Sequence, residues 1–239
     1  MSRHVLVTGA SGGIGLAVAE RFARAGDEVV VTARRPEPLA AAADKIGARA
    51  LPADLTDPEQ VAALVDRLPE HLDVLVNNAG GNRAFDRAEP ADLSELAELW
   101  RTNLEANLIS AVLVTEAVRA RLRAGGSVIH LGSIGAERGA GSYGAAKAAL
   151  ASWSVGLSAE LGPRGVTSNV ISPGYIEQTE FFRDRMTDAR RAALVAATHD
   201  GRPGTADDIA ATAYFLASAG ARHVTGQLLN VNGGAFTTR

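Results

Sequence analysis

Short runs of apolar, often β-branched residues alternate along the chain with stretches whose apolar residues recur at helical spacing, such as Gly13–Ala25, Glu37–Ile46 and Pro58–Leu68. Strands that alternate with helices form a parallel sheet, and continuous apolar strands are typical of a sheet covered on both faces. The pattern predicts an α/β protein with a doubly wound (Rossmann) sheet of about seven parallel strands and helices on both faces. The predicted strands are Val5–Thr8, Glu28–Thr32, Ala48–Pro52, Val74–Val76, Ser127–Leu131, Val166–Ile171 and Leu228–Val231.

One segment departs from this alternation. No long linker, charge block or repeat divides the sequence, so residues 1–239 are predicted to form a single dinucleotide-binding and catalytic domain. Residues 174–204 follow a predicted strand and contain Phe181, Phe182 and Met186. Ligands of open α/β sheets bind beyond the carboxyl ends of the strands, so this segment is predicted to be a substrate lid. Its apolar residues form either an acyl or aromatic pocket or only the core of the lid.

Composition narrows the function classes. The chain has 239 residues, no cysteine and a net charge of −3. Disulfides, thiolate metal sites and cysteine nucleophiles are therefore excluded, and no other metal site is evident. A weakly acidic chain has no general basic field for nucleic acid or an anionic membrane. No apolar run approaches the ~20 residues of a membrane span, and the start of the chain has no signal-peptide pattern, so we predict a cytoplasmic protein.

A glycine-rich segment, T-G-A-S-G-G-I-G over residues 8–15, lies between the first predicted strand and helix. Glycines let backbone amides approach a pyrophosphate, and the start of a helix favours negative charge. The spacing differs from the commoner G-x-G-x-x-G, so an ordinary tight turn is the alternative. The candidate contacts of a dinucleotide are Gly9, Ser11, Gly12, Gly13, Ile14 and Gly15.

The end of the second strand bears on which dinucleotide is bound. A sheet that binds NAD usually carries an acidic residue there, for the ribose 2′-hydroxyl. This chain has Ala33, Arg34 and Arg35 instead. Guanidinium groups suit a 2′-phosphate by charge and by geometry. The sequence therefore favours NADP (NADPH), unless both arginines are ordinary surface residues.

A tyrosine and a lysine share one face of a predicted helix. Tyr143 and Lys147 are four residues apart, which is one helical turn. A free phenol has a pKa of about 10, and we expect the nearby ammonium to lower it so that Tyr143 serves as an acid or base. Ser133 follows a predicted strand and is placed to polarise a substrate carbonyl. Alone, the tyrosine–lysine pair is a weak signal, since it also occurs on surface helices.

Several further blocks join these residues in register. They are Asp54-Leu55, Asn77-Asn78-Ala79-Gly80, and Pro173-Gly174 with Ile176 and Thr179. With the glycine-rich segment and Ser133, Tyr143 and Lys147, they make the chain similar to short-chain dehydrogenases/reductases over essentially its whole length. Within that family it most resembles 3-oxoacyl carrier-protein reductases and polyketide-type ketoreductases, through its C-terminal half.

The resemblance implies further roles. Ser133, Tyr143 and Lys147 are the expected catalytic residues, and Asn103 falls where the family has a fourth. Tyr143 and Lys147 also contact the cofactor, with Lys147 on the ribose. Asp54 and Leu55 are expected at the adenine. The expected contacts elsewhere on the cofactor are Asn77, Asn78, Ala79, Gly80, Pro173, Gly174, Ile176 and Thr179.

The chain departs from the family pattern at two places. Gly12 stands where NADP-dependent members often have a basic residue, which leaves phosphate recognition mainly to Arg34. Thr179 comes one position later than in carrier-protein reductases. The late threonine leaves its own cofactor contact and the substrate open.

The predicted function is NADPH-dependent reduction of a ketone to a secondary alcohol, with a 3-oxoacyl thioester or a related small keto compound as substrate. The alternatives are an NAD-linked sugar, steroid or secondary-alcohol dehydrogenase, and a protein that senses dinucleotides without catalysis. An acyl carrier protein is a candidate partner through Arg119, Arg121, Arg123 and Arg164, unless these are only solvated. The apolar stretches Leu99–Val118 and Ala145–Leu161 have more hydrophobic surface than one face of the sheet needs, and the resemblance implies that they form the interface of a homodimer or homotetramer.

Overall fold

A single sheet of seven parallel strands runs through the protein, whose computed structural model describes residues 2–182 and 185–238. The strands are β1 (His4–Thr8), β2 (Glu28–Thr32), β3 (Arg49–Ala50), β4 (Leu72–Asn77), β5 (Leu122–Leu131), β6 (Thr167–Pro173) and β7 (Leu228–Val231). Their order is β3-β2-β1-β4-β5-β6-β7. The order in which strands are added therefore reverses between β1 and β4. A doubly wound sheet binds its ligand at this point. The predicted α/β Rossmann class is confirmed.

Helices connect the strands. They are α1 (Gly13–Arg24), α2 (Pro36–Ile46), α3 (Pro58–Asp66), α4 (Leu93–Leu104), α5 (Ser110–Val118), α6 (Gly141–Leu161), α7 (Asp188–Ala196) and α8 (Ala206–Leu216). Local sequence explains where they begin. Asp57 accepts hydrogen bonds from the first-turn amides of α3, and Thr205 forms a capping box with Asp208 at α8. A π-helical turn, Glu105–Ile109, joins α4 to α5.

Two apolar layers cover the sheet. On one face, Phe22 of α1, Leu39 of α2 and Ile209 of α8 pack against Val5 and Val7 of β1. On the other face, α3, α5 and α6 contribute Leu64, Val114 and Leu157, which pack with Leu6 and Leu75. Alternate residues of β1 thus enter opposite layers, as the pleat of a strand requires. Burial on both faces explains why these strands read as continuous apolar runs.

The ends of some strands differ from the predicted ends, because hydrogen-bonded pairing there does not coincide with the apolar runs of the sequence. The predicted strand Ala48–Pro52 is only the two-residue β3, although the amide of Leu51 still donates to Val31 at 2.9 Å. β3 lies at the edge of the sheet, so it has one neighbour and a short ladder. β5 starts at Leu122, five residues before the predicted Ser127, because Leu122 also pairs with Leu72 of β4, across a shift in register that precedes Ser127.

The segment predicted as a lid leaves the sheet at the carboxyl end of β6. A single bridge between Ile176 and Gly204 closes its base, where the amide of Glu177 donates to Gly204 at 2.9 Å. Helix α7 lies within it. Arg183 and Asp184 of the predicted segment lie outside the described residues. The segment is therefore a partly helical excursion beyond the strand ends, and its action as a lid remains a prediction.

Large apolar side chains are exposed on one set of helices. Leu93, Leu96 and Trp100 follow one face of α4, and they are 82%, 40% and 42% exposed. Ile109 and Val155 are 41% and 56% exposed on the π-helical turn and on α6. In the described part of the chain, no helix has the length and apolar character needed to cross a bilayer. Exposed apolar patches of this kind mark interaction surfaces, and they lie within or next to the two stretches predicted to form a homo-oligomer.

We expect the protein to be a homo-oligomer in solution, because association would bury these apolar side chains. Trp100→Glu or Val155→Asp places a charge in that surface and should shift the protein toward the monomer. Size-exclusion chromatography with light scattering at micromolar concentration measures this. Ala40→Asp, at an exposed position of α2, is the matched control and should keep the wild-type mass. A monomeric wild-type protein would contradict the prediction.

Candidate functional site

The glycine-rich turn has the geometry of an anion-binding loop. Gly9 has φ 68° and Gly13 has φ 54°, a region that favours glycine. A Cβ on Gly9 would lie 2.7 Å from Cα of Ala79, and one on Gly15 would overlap the side-chain amide of Asn78. Helix α1 begins at Gly13 with no side-chain cap and no acidic residue in its first turn. Its first amides are therefore available to a phosphate group.

Hydrogen bonds join the ends of β1 and β4 next to this turn. The Thr8 hydroxyl accepts from the backbone amides of Asn78 at 3.0 Å and Ala79 at 2.9 Å. In return, the Asn78 side chain donates to the carbonyl oxygens of Thr8 at 2.9 Å and Gly9 at 3.0 Å. These contacts fix the ends of β1 and β4 relative to each other, at the point where the strand order reverses.

A cleft of about 840 Å³ opens at this edge of the sheet. It reaches from the glycine-rich turn to the segment above β6. The predicted site residues that line it are Gly9, Ser11, Gly12, Gly13, Ile14, Gly15, Arg35, Asn78, Ala79, Gly80, Ser133, Tyr143, Lys147, Pro173, Gly174, Ile176 and Thr179. Arg34, Asp54, Leu55, Asn77 and Asn103 are predicted site residues that do not line it.

Ser133, Tyr143 and Lys147 meet in the cleft. Ser133 follows β5, whereas Tyr143 and Lys147 lie one turn apart on α6, and both are almost fully buried. The Lys147 ammonium donates to the carbonyl oxygen of Leu131 at 2.7 Å and lies 5.9 Å from the centre of the Tyr143 ring. Strand and helix thus present a hydroxyl, a phenol and an amine to one space.

Burial dominates the electrostatics of this group. It raises the pKa of Tyr143 to about 12, while a hydrogen bond with Ser133 acts in the opposite direction. Burial also lowers the pKa of Lys147 to about 8. The expected lowering of the phenol pKa by Lys147 is not found among the chain's own groups. The amine contacts Leu131, and desolvation of the phenol is the larger effect.

Asn103 is buried but lies outside the cleft. Its amide donates to the Ser142 hydroxyl at 2.9 Å, and its oxygen accepts from the backbone of Arg83 at 3.0 Å. One turn later, Asn107 is bound to the backbone of Gly81 at both its amide nitrogen and its oxygen.

Asn107 lies beside Lys147. A Cβ on Gly80 would overlap the Asn107 oxygen and would lie 3.4 Å from the Lys147 amine. The structure therefore brings Asn107, and not Asn103, against the site. Asn-Leu occurs twice here, at residues 103–104 and 107–108, so the sequence offered a signal for both positions but no way to choose.

Asn77 faces the core and anchors a buried polar network. Its amide donates to the Thr115 hydroxyl at 2.8 Å and lies 3.2 Å from Nδ1 of His130. The other ring nitrogen of His130 lies 3.4 Å from the Ser168 hydroxyl, which is 2.8 Å from that of Ser154. Burial first and the charge of Lys147 second lower the pKa of His130 to about 3, so the ring is neutral. Asn77 therefore supports the sheet beneath the site.

The residues predicted to contact the adenosine half differ in position. Arg34 and Arg35 are both exposed after β2, and it is Arg35 that lines the cleft. The Asp54 carboxylate accepts from the amide and hydroxyl of Thr56 at 3.0 and 2.8 Å, and Leu55 is buried in the core. Recognition of a 2′-phosphate, which the sequence assigned mainly to Arg34, is therefore assigned to Arg34 and Arg35 together. The predicted adenine contacts of Asp54 and Leu55 remain a prediction.

The late threonine of the Pro-Gly block still reaches the glycine-rich turn. Gln178 has φ 57° and is the only non-glycine residue with positive φ in the described chain. This left-handed residue immediately precedes Thr179. The Thr179 methyl lies 3.7 Å from where a Cβ on Gly13 would be, and its hydroxyl donates to Ile176 at 3.1 Å.

Comparisons with known proteins agree with this geometry. The sequence model described as Enoyl-(Acyl carrier protein) reductase matches residues 9–236. The 3-oxoacyl-[acyl-carrier-protein] reductase FabG of Escherichia coli (strain K12) is 38% identical, covering 97% of this chain and 96% of its own. A putative oxidoreductase of Mycobacterium tuberculosis is 35% identical, with 98% of both chains covered.

Solved structures give the same result. A short-chain dehydrogenase of Burkholderia cenocepacia J2315, in complex with NADP, superposes with a TM-score of 0.86 at 34% identity, over 98% of this chain and 97% of that one. A short-chain dehydrogenase/reductase of Brucella melitensis gives a TM-score of 0.89 at 31% identity, over 99% and 97%.

The chain belongs to the short-chain dehydrogenase/reductase family. It is therefore an oxidoreductase of a family that uses nicotinamide dinucleotides. The matching model is described as an enoyl reductase and the relative as a 3-oxoacyl reductase, so membership alone does not fix the substrate.

The neutral His130 predicts how stability depends on pH. Its pKa of about 3 in the folded chain lies below the ordinary value of 6.5. Between these values the unfolded chain binds more protons, so stability should fall as pH drops, by up to about 1.4 kcal/mol per pH unit. The contribution of the neutral His130 to stability should be fully present above about pH 6.5. Urea unfolding at several pH values measures the slope.

His130→Asn, which keeps a polar side chain, should flatten this slope, although it also lowers stability at every pH. His223→Asn removes an exposed histidine and serves as the control. Equal slopes for wild type and His130→Asn would show that His130 is not the titrating group.

Proposed function

We propose that the protein reduces a ketone to a secondary alcohol with NADPH, and that 3-oxoacyl thioesters are its substrate class. The convergence of Ser133, Tyr143 and Lys147 beside the glycine-rich turn carries the proposal. A relative named as a 3-oxoacyl-[acyl-carrier-protein] reductase supports the substrate class. Structural neighbours described in complex with NADP or NADPH support the cofactor.

The cleft fits a dinucleotide. Glycine at positions 9 and 15 lets the turn pack directly against Ala79 and Asn78, where a Cβ would collide with them, and the start of α1 offers uncapped amides. The glycine-rich turn would hold the pyrophosphate, Arg34 and Arg35 a 2′-phosphate, and Lys147 the nicotinamide ribose. Asn78, Ala79, Gly80, Pro173, Gly174, Ile176 and Thr179 line the remaining wall. A bound reduced nicotinamide supplies the hydride for the carbonyl carbon.

Tyr143 is the proton donor in this proposal. Because its pKa is about 12, the phenol is protonated at neutral pH and has a proton to give to the carbonyl oxygen. In the opposite direction the phenolate accepts a proton from the alcohol. That direction needs positive charge near the phenol, which Lys147 and an oxidised nicotinamide ring would both supply.

The neighbouring groups position and polarise the substrate. Ser133 already interacts with the phenol, and its hydroxyl is placed to donate to the same carbonyl oxygen. With a pKa of about 8, Lys147 is mostly charged at neutral pH, so its ammonium is available to hold the ribose of the cofactor. Asn107 holds Gly81, and with it the wall beside Lys147, in place. Asn103 acts indirectly, through Ser142 and the backbone of Arg83.

A carrier protein remains a candidate partner, but the predicted arginine patch lies far from the cleft of its own subunit. Arg119 pairs with Glu116 and Glu160, and Arg164 donates to the carbonyl oxygens of Arg119 and Leu122. These residues flank the start of β5, whereas Ser133 follows its end. A thioester arm docked at this patch would have to reach past the length of the sheet.

Tyr143→Phe should lower kcat about 10²- to 10⁴-fold, because the ring keeps its packing but loses the proton. NADPH affinity should stay within about threefold, since the phenol is not the main cofactor contact. Steady-state reduction of 3-oxobutanoyl-N-acetylcysteamine and fluorescence titration of NADPH measure the two effects. Thr212→Val on α8 is a control for loss of a hydroxyl elsewhere.

Undiminished turnover by the phenylalanine variant would refute the proton-donor assignment. Cofactor binding by the wild type, with no reduction of any thioester, cyclic ketone or keto-sugar, would favour the non-catalytic alternative instead.

The arginine pair predicts the cofactor preference. Wild type should use NADPH with a higher kcat/KM than NADH, because guanidinium groups pair with the 2′-phosphate. Removing both charges, in Arg34→Ala with Arg35→Ala, should lower this ratio about tenfold or more and leave NADH use nearly unchanged. Arg67→Ala, at the distant end of α3, is the control. A wild-type preference for NADH would support the NAD-linked dehydrogenase alternative.

A further inference from the structure

Five aromatic rings form a continuous cluster over the catalytic tyrosine. We call Phe85, Tyr143, Tyr175, Phe181 and Phe182 the aromatic cluster, and every one of them lines the cleft. The Phe181 ring centre lies 5.5 Å from that of Tyr143, 5.6 Å from that of Phe85 and 5.0 Å from that of Phe182. The Phe182 ring lies 5.9 Å from Tyr175 and 6.0 Å from Phe85. Most of these pairs are tilted or edge-to-face, the arrangement that aromatic rings prefer.

The chain has few aromatic residues, so the presence of five of them in one cluster is informative. Aromatic residues are 5% of the sequence, yet the cluster takes three of the six phenylalanines and two of the three tyrosines. They come from separate places: the turn after β4, the start of α6, and the segment that follows β6. None of the three phenylalanines belongs to the two apolar layers of the sheet. The rings therefore serve the cleft and not the core.

The cluster still has apolar surface to offer. Apart from the buried Tyr143, its members are only partly buried. The guanidinium groups of Arg185 and Arg190 lie 5.4 Å from the centre of Phe85 and 4.9 Å from that of Phe182. Such cation–π contacts hold the outer rings in place. Phe181 lies between these outer rings and the phenol of Tyr143, and it lines the cleft.

We propose that the aromatic cluster selects ketones with a planar apolar substituent, such as an aryl ring, on the carbonyl carbon. This rests on the proposed ketone reduction and narrows its substrate class. A flat ring gains edge-to-face or stacked contact with several members of the cluster at once. A flexible alkyl chain with the same number of carbons gains the hydrophobic contact alone and loses more conformational freedom on binding.

The test compares two matched thioesters, 3-oxo-3-phenylpropanoyl-N-acetylcysteamine and 3-oxononanoyl-N-acetylcysteamine, which place six carbons of either shape on the ketone. Phe181→Leu and Phe182→Leu remove one ring each but keep apolar bulk. Each should lower the phenyl-to-hexyl ratio of kcat/KM about threefold to tenfold relative to wild type. Phe215→Leu changes a half-exposed phenylalanine of α8 outside the cleft, and it should keep the wild-type ratio.

A binding measurement separates this inference from the proposed reaction. The Tyr143→Phe variant, whose turnover is strongly reduced, is first saturated with NADP. Calorimetric titration of this complex with 1-phenylethanol and with 2-octanol then compares the affinities of the two alcohols. A preference for the aryl alcohol that Phe181→Leu reduces, in the same background, supports the inference even if neither thioester is reduced. Equal affinities, or a phenyl-to-hexyl ratio that both leucine variants retain, would overturn it. Failure to reduce either thioester with NADPH counts against the proposed function alone.

Discussion

The junction between the ends of β1 and β4 is the constraint on which the site depends. The Thr8 hydroxyl accepts two backbone amides across the junction, and Asn78 returns two hydrogen bonds to the first strand. Gly15 lies so close to this amide that it has no room for a side chain. The sheet thereby fixes the glycine-rich turn before any ligand is present, which lowers the entropic cost of binding one.

Desolvation sets the pKa values of Tyr143 and Lys147 in the cleft. The same burial that keeps the Tyr143 phenol protonated also lowers the proton affinity of Lys147. Opposite shifts of a buried acid and a buried amine are expected where the surroundings oppose charge of either sign. Beneath them, His130 stays neutral for the same reason. Charge brought into the cleft by a ligand therefore acts on groups that are only weakly screened.

The sequence predicted the elements that burial specifies and missed those that tertiary contacts decide. Strands β2 and β7 were predicted at their observed bounds because apolar runs mark their pairing, whereas the edge strand β3 was predicted too long. Ser133, Tyr143 and Lys147 were recognisable as candidate site residues because they lie in register with the other blocks of the family pattern. Asn107 was not, because the π-helical turn changes which asparagine faces Gly80 and Gly81. Phe85 and Tyr175 join the aromatic cluster only through folding, since no periodicity connects their positions with Phe181.

The bridge between Ile176 and Gly204 separates the segment over the cleft from the strands of the sheet. It closes the base of a long segment with one pair of residues, so the strands on either side are joined independently of what lies between. Because the closure entropy of a loop rises only slowly with its length, residues between these two points can change in number and type at little cost to stability. The segment over the cleft can thus vary in sequence and length while the sheet beneath it keeps its strand order.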